Sequence, residues 1–105
     1  MKIKKHIIKT AMEKAAQSPC AYRISAIGVS RRGEIIDKTF NLHRFGKKGG
    51  GIHAEMALMK RHPKALKTII ICRIGKDGCL LPIEPCDICK KKANELDIKI
   101  CTVKE

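Results

Sequence analysis

The run TIIICRI, residues 68–74, is nearly continuous in apolar residues. It lacks the alternation of a strand with one wet face, and this predicts a central strand buried on both sides. The rest of the chain must then supply cover above and below it. Ile3, Ile7, Ile8, Ala11 and Ala15 recur at helical spacing, and Ser18-Pro19 ends that pattern, which predicts an amphipathic first helix. RISAIGVS from Arg23 and EIIDKTF from Glu34 are short β-prone runs separated by RRG. Gly33 there suits a tight hairpin between antiparallel strands.

The glycine-rich, basic stretch NLHRFGKKGGG reads as a loop leading into GIHAEMALMK, a helix running to about His62 and stopped by Pro63. GKDGCLLPIEP reads as another loop. Cys89, Ala93 and Leu96 mark one face of a third helix, and IKICTV a last strand. The order αββαβαβ contains two strand–helix–strand crossovers. These favour right-handed connection and parallel pairing in one sheet, and so an α/β fold.

A chain of 105 residues has room for one domain, spanning 1–105. With 44% hydrophobic and 31% charged residues the composition is that of a soluble globular protein, and 3% aromatic leaves the core to Ile, Leu, Ala and Met. No apolar run approaches the roughly 18 residues that a membrane span needs, and MKIKKHIIKT is too interrupted by lysine for a signal peptide. The expectation is a cytoplasmic protein, with no membrane partner. Six cysteines without a secretory signal point to a metal site or reduced thiols rather than to a disulfide framework. The formal charge is +13, and residues 1–50 hold 12 basic and 3 acidic residues against 11 and 7 in residues 51–105. Such a field attracts polyanions, so nucleic acid or nucleotide phosphate is the natural partner.

The chemistry concentrates at two predicted helix starts. Cys86 and Cys89 form a Cys-x-x-Cys pair opening the third helix, and His53 opens the second. Two thiolates and an imidazole nitrogen make three ligands for zinc, one ion per chain. They leave a fourth tetrahedral position for water, as catalytic sites do. Helix N-termini aimed at the site favour the ionised thiolates. Glu55 lies two residues beyond His53. In a helix interior these two side chains would point in nearly opposite directions, so both reach one centre only if it sits off the helix end. There a carboxylate can take a proton from water and pass it on. Three other readings stay open at this point: a catalytically silent zinc module that binds nucleic acid, a structural Cys-rich site including Cys79, and a thioredoxin-like redox pair.

HAE at 53–55 followed by EPCDIC at 84–89 resembles the zinc-dependent nucleobase deaminases, the cytidine deaminase-like superfamily, with its H-x-E…P-C-x-x-C signature. The resemblance extends from the first helix to the last strand. It implies a three-layer α/β/α fold with a mixed sheet and a minimal four-strand core. Zinc would be held by His53, Cys86 and Cys89, and Glu55 would shuttle protons. Water would replace the amino group of cytosine to give uracil, or act at C6 of adenine as in tRNA deaminases, with release of ammonia. Asn41 matches an asparagine that holds base or sugar, and Ala54 and Pro85 match the pocket wall. Arg44, Lys47 and Lys48 are candidate contacts to phosphate or nucleic acid, with DNA favoured among polynucleotides. The substrate is thus a cytidine nucleotide or cytosine in nucleic acid. A minimal core leaves a sheet edge that self-association would cover.

His6 and His43 are expected as solvated surface and loop residues, His62 as a charge at a helix end, and Cys72 and Cys101 as core thiols.

Overall fold

A computed structural model describes residues 4–18, 23–43, 51–52, 54–81, 83 and 87–103. The elements are α1 (Lys5–Ala15), β1 (Arg23–Val29), β2 (Ile35–Phe40), β3 (Leu42–His43), β4 (Gly51–Ile52), α2 (Ala54–Arg61), β5 (Thr68–Ile74), β6 (Leu80–Leu81), α3 (Asp87–Glu95) and β7 (Lys99–Thr102). The predicted central strand is β5, with the expected bounds.

β5 organises a five-stranded sheet. One edge pairs antiparallel with β1, from Arg23↔Ile74 to Val29↔Thr68. The other edge is shared end to end: β7 runs parallel against Thr68–Ile71, and β6 runs antiparallel against Arg73 and Ile74. β2 pairs antiparallel with β1 on the far side. Both crossovers therefore join strands of like direction. β5 and β7 are neighbours, whereas β2 and β5 are separated by β1, which is antiparallel to each.

Alternation along the strands divides the core in two. Ile70, Cys72 and Ile74 of β5 join Ile27 and Val29 of β1 against Ile7, Ala11 and Ala15, which recur every fourth residue along one face of α1. Ile69 and Ile71 join Ala26 against Ala54, Leu58 and Met59 of α2 and Cys89 and Ala93 of α3. Helices thus cover both faces, giving three α/β/α layers. Fully burying an isoleucine contributes about 1.5–3 kcal/mol relative to leaving it in water, and β5 sends its isoleucines to both sides. Gly28 lets α2 and the segment after it lie close to the sheet: a Cβ there would come within 2.5 Å of the Leu66 Cδ2.

The hairpin at RRG forms as expected. Ser30 N–H donates to Glu34 O at 2.9 Å, Gly33 N–H donates to Ser30 O at 3.0 Å, and Gly33 has φ +83°. Two stretches read as loops contain short strands. In the first, Leu42 and His43 pair with Ile52 and Gly51. In the second, a turn closed by Gly75 N–H to Cys79 O at 2.9 Å, with Gly78 at φ +83°, brings β6 onto β5. The sheet accordingly has one strand more than the expected four-strand core. Two residues are too few to show a period of two, and the pairing comes from the turn and the available edge of β5. Among the described residues, no helix is long and apolar enough to cross a membrane.

Candidate active site

Glu55 stands in the first turn of α2, where a carboxylate complements the helix dipole. Only 4% of it is exposed. Among the described residues, no ion pair or hydrogen bond reaches its carboxylate. A carboxylate in the first turn of a helix, with no described partner, is a candidate for proton transfer.

The helix start that carries it is tied to the sheet. Thr39 Oγ1 on β2 donates to Ala54 O at 2.8 Å, and both residues are buried. This bond ties the residue immediately before Glu55 to a rigid strand. The other end of α2 is tied to the same strand. His62 Nε2 lies 3.0 Å from Asp37 Oδ2, and Arg61 Nη1 donates to the same oxygen at 3.3 Å. Burial pushes the Asp37 carboxyl up, but the Lys38 N–H, His62 and Arg61 together outweigh it and hold the group below the usual 3.8. His62 thus finds a carboxylate partner on β2 as well as a place at the helix end.

Cys89, in the first turn of α3, is 0% exposed and packs in the same cluster as Ala54. α2 and α3 pack together on one face of the sheet. The fold therefore puts α2 and α3 on one face of the sheet, with Glu55 and Cys89 in their first turns. His53, Cys86 and Pro85 lie outside the described residues, as do Arg44, Lys47 and Lys48. Among the described residues, no group of three His, Cys, Asp or Glu side chains is placed to hold a metal ion. Cys89, a buried thiol in the first turn of a helix, is a donor of the type that suits zinc.

Asn41 follows β2 directly, and its N–H donates to Ile24 O at 3.0 Å. Its side-chain carbonyl is turned into the protein, accepting from Ser18 Oγ at 2.6 Å and from Ile24 N–H at 3.0 Å. Ser18 also donates to Asn41 O at 2.9 Å. These bonds join the end of α1 to the start of β1 and the end of β2, so this oxygen has a structural role. Ala54 contributes a fully buried methyl and the carbonyl that Thr39 holds. Sequence reasoning missed Thr39 and Asp37. Alternation along β2 from the Ala26↔Thr39 and Gly28↔Asp37 pairs puts both on the α2 side, but nothing local singles them out.

Cys72 and Cys101, expected as core thiols, differ in burial from Cys79. Cys72 is fully buried, and burial pushes its thiol up to about 11. Cys101 is partly buried against the same cluster, and Cys79 is exposed in the turn before β6. None of Cys72, Cys79, Cys89 and Cys101 is in a disulfide bridge. His6 is exposed on α1.

Neither a protein-family model nor a curated protein matches the sequence. Solved structures do match the fold. Cytidine deaminase from Mycobacterium leprae superposes with a TM-score of 0.64 at 20% identity, covering 90% of this chain and 82% of that one. Cytidine deaminase from Mycobacterium tuberculosis gives 0.62 at 16%, covering 93% and 85%. The dCMP deaminase of the cyanophage S-TIM5 gives 0.63 at 18%, covering 95% and 84%. At these identities the likeness is one of architecture, and the chain has the cytidine deaminase-like fold.

Proposed function

We propose that the chain is a zinc-dependent hydrolytic deaminase that converts cytosine to uracil in a cytidine-type substrate. The carrying observation is Glu55, 4% exposed and without a described partner in the first turn of α2. A module that used zinc only for stability, or that only bound nucleic acid, would have no use for such a carboxylate. The fold shared with structures described as cytidine and dCMP deaminases supports the same reading.

His53, Cys86 and Cys89 would hold the zinc. When bound, zinc supplies Lewis acidity that makes water a nucleophile near neutral pH. Glu55 accepts the proton that water gives up as it adds to C4 of the base and returns it to the ring nitrogen. A second transfer, to the exocyclic amino group, lets ammonia leave. Cytosine and water thus become uracil and ammonia. The Thr39 bond to Ala54 keeps this carboxylate in place, and the buried setting keeps bulk water from competing for its proton. The thiolate ligands need a reducing compartment, which the cytoplasm is.

The charge of +13 favours an anionic substrate, a cytidine nucleotide or a polynucleotide, with DNA first among the latter. Lys90, Lys91 and Lys92 are all exposed on the helix that carries Cys89. Incubation of zinc-loaded protein with cytidine, dCMP, and single- and double-stranded oligonucleotides, with uracil as the readout, tests the reading. Glu55→Gln should lower the rate by about 10²–10⁴-fold, the usual worth of a general acid–base, while zinc content and circular dichroism stay unchanged. Bound zinc with no Glu55-dependent product from any cytosine substrate would reject deamination of cytosine.

A further inference from the structure

A second feature lies at the opposite end of the sheet from the starts of α2 and α3. The Ser30–Glu34 turn, the Pro63–Lys67 segment before β5 and the Leu96–Asp97 pair before β7 converge there on a cleft of about 570 Å³. That size is within the range of small-molecule sites. Seven-residue β1 and β5 separate this end from the other by roughly 20 Å at about 3.3 Å per residue.

The cleft is lined by Arg31, Arg32, Lys64 and Lys67, with Glu34 and Asp97 as its carboxylates. Among the described residues, none of these six is in an ion pair. Four cations from two separate segments thus line one space, and neither of the two acids beside them is in an ion pair with them. The backbone that carries them is held firmly. Ser30 Oγ accepts from the N–H groups of Arg32 and Glu34, each at 3.3 Å. Lys67 N–H donates to Val29 O at 2.9 Å, and Lys67 O accepts from Lys99 N–H at 3.0 Å. Asp97 takes a left-handed turn at φ +57°, and Ile98 N–H closes it onto Ala93 O at 2.8 Å. Preorganised backbone lowers the ordering cost of binding, leaving only the side chains to settle.

We infer that this cleft is a binding site for a small oligophosphate anion, separate from the candidate active site. Guanidinium groups pair with phosphate oxygens bidentately and ammonium groups as point charges. The two carboxylates set a threshold: they weaken the field for a single phosphate, so an anion with two or more phosphate groups is held best.

Titration of the full chain with inorganic tripolyphosphate, followed by calorimetry, tests this. One anion should bind per chain, and orthophosphate should bind at least tenfold more weakly. Arg31→Glu/Arg32→Glu and the milder Arg31→Gln/Arg32→Gln, both on an exposed turn, should each weaken tripolyphosphate at least tenfold. Lys5→Glu/Lys9→Glu, which changes the net charge as much on exposed positions of α1, should change it less than twofold. An equal loss in the α1 control would make the effect one of overall charge and overturn the site. So would the absence of saturable binding. A single-stranded oligonucleotide that loses affinity in the turn variants, while tripolyphosphate does not, would likewise overturn it. Uracil formation plays no part in these measurements, so their failure and that of the deaminase reading are separable.

Discussion

The sheet face under α1 and the face under α2 and α3 bury similar aliphatic side chains, and among the described residues each is crossed by a hydroxyl bond from strand to helix. Under α1, Ser25 Oγ donates to Ala11 O at 2.6 Å, in the body of the helix. Under α2, Thr39 Oγ1 donates to Ala54 O at 2.8 Å, at the first residue of the helix. The same device serves packing in one place and positions a first turn in the other. What separates the faces is the position of the bond relative to Glu55, not the chemistry of the core.

That contrast can be broken most forcefully in the core itself. Ile70→Ala under α1 and Ile69→Ala under α2 should each destabilise by about 2–5 kcal/mol in chemical denaturation. Only Ile69→Ala should also lower the deaminase rate per folded molecule, and equal effects of the two on that rate would erase the distinction. The hydroxyl pair gives a smaller test. Ser25→Ala and Thr39→Val should each lose about 0.5–1.5 kcal/mol. Thr39→Val should in addition slow deamination several-fold with little change in KM, since it loosens the turn that carries Glu55, the proposed proton-transferring group. Smallest is Asp37→Asn, at about 0.2–1 kcal/mol for a pair this exposed. Because the folded Asp37 carboxyl is held below 3.8, its contribution is full above that pH and fades as pH falls through the folded value. The difference between wild type and Asp37→Asn in thermal melts should therefore be present at pH 6 and shrink below about pH 4.

Much of this was legible because its signals are local. An uninterrupted apolar run marked β5, a spacing of four marked the buried stripe of α1, and Gly33 marked the hairpin. The helix starts followed from HAE and CDIC, and Glu55 and Cys89 are where those motifs put them. The rest depends on partners far along the chain. Leu80 and Leu81 become a strand because an edge of β5 is open beside them. The Asn41 side-chain oxygen meets Ser18 and Ile24, 23 and 17 residues away, and no local signal marks those bonds. Thr39 and Asp37 matter through α2, which comes later in sequence, and no periodicity encodes such a meeting. The oligophosphate cleft was hidden for the same reason, since three turns far apart in sequence compose it.

The central position of β5 also has a consequence for the order in which the chain acquires structure. Ser25 pairs with Cys72 across 47 residues, and both buried clusters take residues from β5. During synthesis the first helix, the hairpin and α2 can all emerge with neither cluster complete. Closure of loops this long favours slow folding, and until residue 74 is available the apolar faces of three early elements stand open to water. Both layers gain their shared strand only with β5, and Cys89, Ala93 and Val103 complete them later still, so a nascent chain stays open to misassociation until its last elements arrive.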